Sequence, residues 1–504
     1  MTSSSAHAEI ELKLRLPGAD ARRVAAQLAA IPRLAGLTPI EQRLRNIYYD
    51  TPDQRLRQAG AALRLRSQRQ GGGRARWLQT FKTAGKAAGG LSQRGEWESS
   101  VRGGQLDPVV LQGTPWPTLD ADGQLFVQLA PCFETEALRT LRLVSGEDGS
   151  HIEVVLDLGQ VRVGDAHTDI CELELELLKG RPDALFELAA HIATELAVLP
   201  TPVSKAERGW RLLDGTLQAP RRARRLELAP DTPVLQAAQA VLAEMLRQFM
   251  ENLGGIVDSD GAELVHQARV GWRRWRSALW LFKPLLENHP RPDVTGLRPL
   301  LKALGATRDL DVAALESLPQ WAEAYIGGDA ERARHWQTME AAVAAERDVR
   351  RAALLSTLQS PATGQALLQM ERWLHALPQA AWTPELADQS IDAWAAVRTR
   401  RLHRRLADEL KAMEDTDLKS SEGLEHQHNV RLLAKRTRYV LEALRTVLPR
   451  ERTRRWQDQA TELQTRIGAA RDLMLLATLL EPLGVEREIL GFLRGVAAGR
   501  LADG

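Results

Sequence analysis

Between residues 9 and 178, apolar and polar residues alternate with a period of two in short runs that glycine-rich or Asp/Gly turns separate. Since successive side chains of a strand point to opposite faces, this alternation predicts β-strands. The predicted strands cover residues 9–13, 40–49, 62–69, 75–82, 92–101, 133–144, 151–163 and 170–178, with short amphipathic helices at 20–30 and 182–196. Many meandering strands with few helices favour a closed antiparallel barrel, because closure leaves no strand edge exposed.

Beyond about residue 232 the hydrophobic period changes to 3.6 and stays so to residue 504, which predicts an all-α half. Asp231-Thr232-Pro233 is a suitable helix start. We therefore expect an α+β chain with a barrel domain at 1–214, a linker at 215–231 and a helical domain at 232–504. The basic run Pro220-Arg221-Arg222-Ala223-Arg224-Arg225 in the linker is interpreted as a solvated tether rather than a binding element.

The helical half repeats itself. The segments HQARVGWRRWR, from His266, and HNVRLLAKRTR, from His428, carry His or basic residues at the same offsets of 0, 3, 7, 8 and 10. Some forty residues later come GATRD, from Gly305, and GAARD, from Gly468. This spacing predicts an internal duplication, with two small helical bundles at about 232–390 and 391–504.

Cysteine content and the lack of long apolar runs indicate a cellular compartment, whereas the net charge does not indicate a binding partner. The 504 residues have a formal net charge of only +2, so any charged partner must be recognised by local clusters. Cys132 and Cys171 have no CxxC or Cys/His spacing, which favours free thiols in a reducing compartment. Residues 1–11 lack a basic and then apolar leader, and no run approaches the roughly 18 apolar residues of a membrane span. The chain is predicted to be cytoplasmic, without a membrane partner.

An unusual feature of the barrel half is that one face of most strands carries charges of both signs. Glu9-Ile10-Glu11-Leu12-Lys13 is the first example. One interpretation is an open sheet whose exposed faces form weak cross-strand ion pairs. In a closed barrel, these side chains would instead line the lumen. Isolated desolvated ions cost several kcal/mol, so lumen charges must pair with each other or bind a ligand.

The residue types suggest what that ligand is. Carboxylates without His or Cys are oxygen ligands suited to Mg²⁺ or Mn²⁺. Arg and Lys suit a phosphate chain, which they grip with charge-assisted hydrogen bonds. A metal ion bridging carboxylates and phosphate oxygens would satisfy both sets, so the pattern predicts a metal-dependent phosphoryl-transfer site.

Several segments in this half resemble the CYTH domain of the triphosphate tunnel metalloenzymes. They are EIELK, NIYYDTPDQRLRQAGAALRLR, LQTFKT, RGEWES, LDLG, CELELEL and SKAERG, in this order over about residues 7–214. The resemblance implies an eight-stranded antiparallel tunnel that binds a triphosphate group together with Mg²⁺ or Mn²⁺.

The resemblance also implies residue roles. The metal ligands would be Glu9, Glu11, Asp157, Glu172, Glu174 and Glu176. The phosphate contacts would be Lys13, Arg64, Arg66, Lys82, Arg94, Arg139 and Lys205, with Arg142 as a neighbour that could replace Arg139. The catalytic set would be Glu9, Glu11, Lys13, Glu96, Glu98, Glu153 and Asp157.

The repeated helix carries a basic stripe. At 100° per residue, offsets 0, 3, 7 and 10 fall within about 80°, while apolar residues such as Trp272 and Trp275 occupy the core side. The stripe could be a solvated face, but it lacks acidic neighbours at i+4, so a long polyanion is preferred. The candidate residues are His266, Arg269, Arg273, Arg274, Arg276, His428, Arg431, Lys435, Arg436 and Arg438.

These segments resemble the CHAD domain, a helical module, over about residues 232–504. The resemblance implies binding of inorganic polyphosphate. Arg398, Arg400, Arg401, Arg404 and Arg405 could widen the surface or be a solvated helix face. Nucleic acid is less favoured, because single strands stack on aromatic side chains and the tryptophans here lie mainly on the core side.

The sequence thus predicts an inorganic triphosphatase that converts tripolyphosphate to pyrophosphate and phosphate, fused to a polyphosphate-binding domain. Two alternatives stay open. One is a non-catalytic polyphosphate-binding protein, and the other is a tunnel enzyme acting on thiamine triphosphate or ATP, including cyclase activity. The tunnel fold alone does not choose among these substrates.

Overall fold

The computed structural model describes residues 7–83, 85–88, 90–416 and 420–502. Within these ranges the chain forms ten strands: β1 (His7–Arg15), β2 (Ile40–Asp50), β3 (Ala61–Gln70), β4 (Arg76–Thr83), β5 (Lys86–Ala88), β6 (Leu91–Val101), β7 (Ala130–Ser145), β8 (His151–Val163), β9 (Ala166–Lys179) and β10 (Leu199–Pro200). The helices of this half are α1 (Val24–Ala30), α2 (Arg55–Gln58), α3 (Trp116–Leu119), α4 (Gln124–Val127), α5 (Asp183–Glu195) and α6 (Lys205–Leu213).

The second half is helical. Its helices are α7 (Val234–Asp258), α8 (Ala262–Leu281), α9 (Arg298–Val312), α10 (Leu318–Ile326), α11 (Ala330–Leu358), α12 (Pro361–Ala376), α13 (Pro384–Ala387), α14 (Ile391–Glu414), α15 (Ser421–Ala443), α16 (Arg450–Leu480) and α17 (Arg487–Ala502). A π-helical turn, Ala313–Ser317, joins α9 to α10. Single 3₁₀ turns lie at Val109–Leu111, Thr295–Leu297, Leu377–Gln379 and Glu481–Leu483.

Eight of the described strands close into an antiparallel barrel. Their order is β1-β9-β8-β7-β2-β3-β4-β6, and β6 pairs back with β1 through the partners His7–Leu12 and Leu91–Glu96. The short strands β5 and β10 attach to β6 and β1 outside this ring. The predicted eight-stranded antiparallel tunnel is therefore confirmed.

The hydrophobic core of this half lies outside the barrel wall. Leu173 and Leu175 of β9 are fully buried against α1 and α5, where Leu28 and Leu185 are equally buried. Because side chains alternate along a strand, the residues between them, such as Glu174, must face inward. The apolar positions thus place the charged positions in the lumen.

The helical half has its main core between α7, α8, α14 and α15. Trp275 of α8 and Leu441 of α15 are almost completely buried in it. The two helices that carry the repeated motif, α8 and α15, pack against each other. The boundary predicted between the two copies, at 390 and 391, coincides with the start of α14 at Ile391.

The two halves share a packed interface. Helix α12 lies against α5, and its Leu368 belongs to the outer core of the barrel. At the other end, Arg15 of β1 donates to the carboxylate of Asp258 and to the carbonyl oxygen of Gly254, both in α7.

The linker is not a free tether, which corrects the interpretation from the sequence. The described chain between Leu213 and Val234 has neither helix nor strand. Its backbone is nevertheless bound, since the Arg221 N–H donates to Asn252 Oδ1 at 3.0 Å and the Leu228 N–H donates to Thr446 Oγ1 at 3.3 Å. Composition indicated the solvated arginines, but the apolar residues between them pack on the helical core.

Candidate active site

The barrel encloses a cavity of about 950 Å³. Fifteen of the predicted site residues line it: Glu9, Glu11, Lys13, Arg64, Arg66, Lys82, Arg94, Glu96, Glu98, Arg139, Glu153, Asp157, Glu174, Glu176 and Lys205. Arg139 rather than Arg142 faces the cavity, because the two are an odd number of residues apart on β7 and so point to opposite faces. Seven of the eight barrel strands therefore contribute charged side chains to the lumen, and β2 contributes neutral ones. Of the predicted barrel residues, Glu172 is the one that the lining does not include.

One wall of the lumen is an ion-pair network between β1, β4 and β6. Glu9 accepts from Lys82 at 3.1 Å and from Arg94 at 2.8 Å, and Arg94 also reaches Glu11 at 2.8 Å. The buried Lys13 ammonium group pairs with Glu11 and lies 3.4 Å from Glu174. Burial would raise the pKa of Glu9, but Lys82 and Arg94 hold it below its ordinary value.

A second wall has a local excess of positive charge. Burial, followed by the neighbouring Arg64 and Arg139, lowers the pKa of Arg66 to about 10. Burial, Arg94 and Arg64 likewise lower the pKa of Lys82. Arg66 and Lys82 therefore lie in a positive potential, which an anion entering the lumen would relieve. Arg64 itself pairs with Glu96 at 3.3 Å, and its pKa is raised.

Helix α6 contributes Lys205, Glu207 and Trp210 to the lining of the lumen. Lys205, the first residue of this helix, contacts Asp157 at 2.7 Å, Glu172 at 2.5 Å and Glu174 at 3.0 Å. Arg139 binds the same Asp157 carboxylate at 2.7 Å. Charge is thus balanced here within the protein.

Two of the predicted metal ligands, Glu172 and Asp157, are already in contact with Lys205. Glu172 is about 1% exposed, is absent from the cavity lining within the described chain, and also lies 3.6 Å from Arg208. Asp157 reaches the cavity but is held between Arg139 and Lys205. The structure therefore does not bring the six predicted ligands together as one group.

Another part of the lumen holds two carboxylates, Glu153 and Glu176, that have no Lys or Arg partner within 4.0 Å among the described residues. In register, Glu176 of β9 lies between Glu11 of β1 and Glu153 of β8. Burial, followed by the charges of Glu9, Glu153 and Glu11, raises the pKa of Glu176 to about 7. Burial also raises the pKa of Glu153. These raised pKa values indicate negative charge that the protein leaves unneutralised.

This carboxylate row fits a divalent metal ion chemically. Its donors are oxygen atoms only, which suits Mg²⁺ or Mn²⁺, and a bound cation would supply the charge that Glu176 lacks. In the described part of the chain, no three acidic, His or Cys side chains are close enough to hold a metal as they stand. Glu9 and Glu11 would have to exchange a lysine or arginine partner for the ion.

Sequence reasoning missed three lining residues on or near β2. Asn46 bridges Arg66, at 2.8 Å, and Thr135, at 2.9 Å. The Tyr48 hydroxyl is near Arg64, which with Arg66 lowers the pKa of Tyr48 although burial would raise it. Arg57 of α2 stacks over Trp210 at the cavity edge. The period-two pattern of β2 placed Asn46 and Tyr48 on one face. Lumen residues were predicted from their charge, however, so these two neutral side chains were not identified.

In the first basic helix, the structure separates one residue from the others. Arg274 is buried, donates to Gln248 at 3.2 Å and pairs with Glu442 of α15. Arg269 and Arg273 are half-buried, and no carboxylate of the described residues lies within 4.0 Å of either guanidinium group. Burial and Arg273 lower the pKa of Arg269, as burial and Arg308 lower that of His266.

The second basic helix presents a looser version of this stripe. His428 is exposed, Arg431 and Lys435 are half-buried, and Arg438 donates to Gln464 at 3.0 Å. Arg436 packs over Trp280 of α8, as does Arg398 of α14. Arg276, on α8, is exposed. The two stripes therefore lie on helices in mutual contact, with Arg274 in the contact itself.

Comparison with known proteins identifies both halves. A closed antiparallel barrel with a charged lumen, followed by a helical domain built around two basic helices, defines a two-domain architecture. Residues 7–209 match the family model of the CYTH domain, and residues 240–481 match that of the CHAD domain. The chain therefore contains a region that matches a CYTH domain and, after it, a region that matches a CHAD domain.

Individual relatives agree with these assignments. Over 212 residues the chain is 32% identical to an inorganic triphosphatase of Haemophilus influenzae, an alignment that covers 40% of this chain and 54% of that protein. The chain thus matches about half the length of this curated relative.

Solved structures were also compared. A CHAD domain from the plant Ricinus communis has 26% identity and a TM-score of 0.46, covering 56% of this chain and 92% of that one. A putative adenylyl cyclase from Hippeastrum, described as having a dominant triphosphatase activity, has 20% identity and a TM-score of 0.29, covering 40% and 95%. Separately, none of the helices in the described ranges has the length and hydrophobicity required to cross a membrane.

Proposed function

We propose that the barrel is an inorganic triphosphatase, which hydrolyses tripolyphosphate to pyrophosphate and phosphate with Mg²⁺ or Mn²⁺. The observation that carries the proposal is the separation of charge inside one cavity. The pKa values of Arg66 and Lys82 are lowered, as expected in a positive potential, whereas those of Glu153 and Glu176 are raised, as expected where negative charge is not neutralised. A phosphate chain bound with a metal ion is a ligand that complements both. The named activity of the Haemophilus influenzae relative supports this choice.

The cations would bind and orient the substrate. Arg64, Arg66 and Lys82 offer charge-assisted hydrogen bonds to the phosphate oxygens, and Arg guanidinium groups can do so with two bonds each. Asn46 fixes the guanidinium of Arg66 through its 2.8 Å hydrogen bond, so this group is already oriented before substrate enters. Holding the chain in one geometry lowers the entropic part of the barrier.

The carboxylates would have two different roles. Glu9, Glu11 and Glu176 are the proposed metal ligands. Glu174 lies within 3.4 Å of Lys13, Arg139 and Lys205, so we assign it to orienting these cations. When bound, a divalent ion neutralises charge on the phosphate oxygens and lowers the pKa of coordinated water. Asp157 and Glu172 we assign to orienting Lys205 and Arg139, because both are already engaged by cations.

A proton must leave the attacking water. Glu153 and Glu176 have raised pKa values, that of Glu176 being about 7. A general base is most effective when its pKa lies near the working pH. Since Glu176 would bind the metal ion, we propose that Glu153 accepts this proton, while Lys82 and Arg94 stabilise the departing pyrophosphate.

The experiment is phosphate release from tripolyphosphate, ATP, thiamine triphosphate and long polyphosphate in parallel, with Mg²⁺ or Mn²⁺. We expect tripolyphosphate to be preferred and Glu176→Gln to reduce kcat at least 100-fold. Glu136→Gln, on the outer surface of the same barrel, is the matched control and should keep full activity. Preference for another triphosphate, a cyclic product from ATP, or full activity of Glu176→Gln would each contradict the proposal. Absence of any turnover would favour the alternative of a non-catalytic binding protein.

For the helical half we propose binding of inorganic polyphosphate along the stripes of α8 and α15. The support is the pair of unneutralised arginines, Arg269 and Arg273, beside the contact with a second basic helix. Fluorescence anisotropy with labelled polyphosphate tests this, and Arg269→Gln/Arg273→Gln should weaken binding at least tenfold. Single-stranded nucleic acid binding equally tightly would contradict the choice of ligand. A cytoplasmic location is part of the same proposal, supported by the two free cysteines.

A further inference from the structure

Trp280, near the end of α8, is contacted by arginines from two other helices. The Cζ atom of Arg398 on α14 lies 4.9 Å from the centre of its ring, and that of Arg436 on α15 lies 5.1 Å away. Arg398 also donates to the carbonyl oxygens of Trp280 and Leu281 at 3.2 Å each. These contacts fix α14 beside the end of the basic stripe on α8 and α15.

The charges that meet at this point are not neutralised. The pKa of Arg436 is lowered, first by burial and then by the neighbouring Arg405 and Arg276. In the described ranges, no carboxylate oxygen lies within 4.0 Å of the side-chain nitrogens of these three arginines. Glu409, one turn after Arg405 on α14, instead contacts His426 at 2.8 Å. Three helices thus contribute guanidinium groups to one region of positive potential.

Helix α14 carries this charge along one face. At 100° per residue, Arg398, Arg401 and Arg405 fall within about 60° of one another. Burial and Arg401 lower the pKa of Arg398, which is consistent with their proximity. Arg400 and Arg404 are also exposed, but they lie about 120° or more from Arg398 around the same helix.

The arrangement has no counterpart on α7, which packs against α8 as α14 packs against α15. Arg247 is the basic residue of α7, and it is paired with both Glu244 and Glu251. The positive surface therefore extends beyond the α8 and α15 stripes onto α14 and not onto α7. Near His266, Arg308 of α9 adds a further cation, but it pairs with Glu316 at 2.7 Å.

We propose that Arg398, Arg401 and Arg405 form an additional binding segment for inorganic polyphosphate, so that a chain lying on α8 and α15 continues past Trp280 onto α14. Its ligand is the same phosphate chain, and the inference rests on the proposed function of the helical half. Because α7 offers no such segment, a long chain extends in one direction from the two stripes. A short chain would not reach α14.

The test compares two double variants that remove the same charge from one helix. Arg401→Gln/Arg405→Gln changes the proposed segment, and Arg400→Gln/Arg404→Gln is the matched control. We expect Arg401→Gln/Arg405→Gln to weaken binding of long-chain polyphosphate roughly tenfold. The slope of log Kd against log salt concentration should decrease by an amount that corresponds to about two phosphate contacts. The control should stay within about twofold of the wild type, and tripolyphosphate binding should be unchanged in both.

Equal weakening by the two variants would overturn the proposal, because it would show an effect of net charge only. Wild-type affinity in Arg401→Gln/Arg405→Gln, with weak binding in Arg269→Gln/Arg273→Gln, would overturn the extension onto α14 but leave the main stripe in place. No binding by the wild-type chain would instead reject the proposed function. Thermal unfolding of each variant within about 2 °C of the wild type confirms that folding is intact.

Discussion

The carboxylate of Glu371 in α12 accepts a hydrogen bond from the backbone N–H of Gly90, in the turn before β6, at 2.5 Å. The carbonyl oxygen of Gly90 in turn accepts from the N–H of Lys13 at 3.1 Å. A Cβ at position 90 would meet the carbonyl oxygen of Lys13 at 3.1 Å, so a larger residue would have to displace this strand by a few tenths of an ångström. Hydrogen bonds through Gly90 therefore connect the helical domain to β1, the strand that carries Glu11 and Lys13.

Stability should depend on pH through Glu371. Burial raises the pKa of this carboxyl group to about 8, against 4.5 in the unfolded chain. Folding therefore favours the protonated form, and stability is lost as pH rises from about 4.5 through 8. Glu371→Gln keeps an acceptor for Gly90 without the charge. We expect the variant to match the wild type at pH 5 and to exceed it by about 1–3 kcal/mol at pH 8.5.

Denaturant unfolding at both pH values measures this difference. Glu385→Gln, which changes an exposed glutamate of α13, is the control and should leave the pH dependence unchanged. Equal stability of Glu371→Gln and the wild type at pH 8.5 would show that Glu371 stays charged at little cost.

Arg66 provides a test of the cationic wall. It is held by Asn46, and burial and Arg64 lower its pKa. Its one carboxylate neighbour among the described residues, Glu98, is 3.9 Å away, so we expect its guanidinium to bind phosphate. Arg66→Gln is expected to reduce kcat/KM for tripolyphosphate at least tenfold, since it removes charge-assisted hydrogen bonds. Arg69→Gln lies on the outer face of the same strand and is exposed, so steady-state kinetics should not distinguish it from the wild type. Similar losses in both variants would argue against a specific role of Arg66.

Much of the barrel site could be predicted from the sequence. Alternation with period two identified the strands, and the residues opposite the apolar positions line the lumen as expected. Periodicity does not determine height along the barrel, however, because that depends on strand register. Strand register places Glu172 beside Asp157, where Lys205 contacts both. It places Glu176 between Glu11 and Glu153. Nothing in the local sequence distinguishes the environment of Glu172 from that of Glu176, because both belong to the same Glu-x-Glu-x-Glu run of β9.

Metal binding should depend on pH in the direction set by Glu176. Its carboxyl group must be deprotonated to bind a cation, and its pKa is about 7 without one. Metal affinity is therefore expected to fall as pH decreases through 7. The rise in Tm caused by Mn²⁺ should be several-fold smaller at pH 6 than at pH 8. In Glu176→Gln the rise should be small at both values, and a wild-type rise that is independent of pH would place the ion elsewhere.

The two neighbouring residues Arg274 and Arg276 should behave differently. Arg274 is buried and contacts Gln248 and Glu442. Arg274→Gln therefore leaves the buried Gln248 without its charged donor and removes the ion pair with the partly exposed Glu442. We expect a loss of about 1–3 kcal/mol in the free energy of unfolding. Arg276 is exposed near Arg436, and Arg276→Gln should preserve stability within about 0.5 kcal/mol while weakening polyphosphate binding.

Thermal unfolding and anisotropy on the same two proteins separate these effects. Helical periodicity placed Arg274 beside the stripe but could not predict its burial, because Glu442 comes from a distant helix of the second copy. If Arg274→Gln were as stable as Arg276→Gln, the contact between α8 and α15 would not depend on this ion pair. If Arg276→Gln bound polyphosphate as tightly as the wild type, Arg276 would not contact the phosphate chain. That result would contradict the proposed continuation of the chain past Trp280 onto α14.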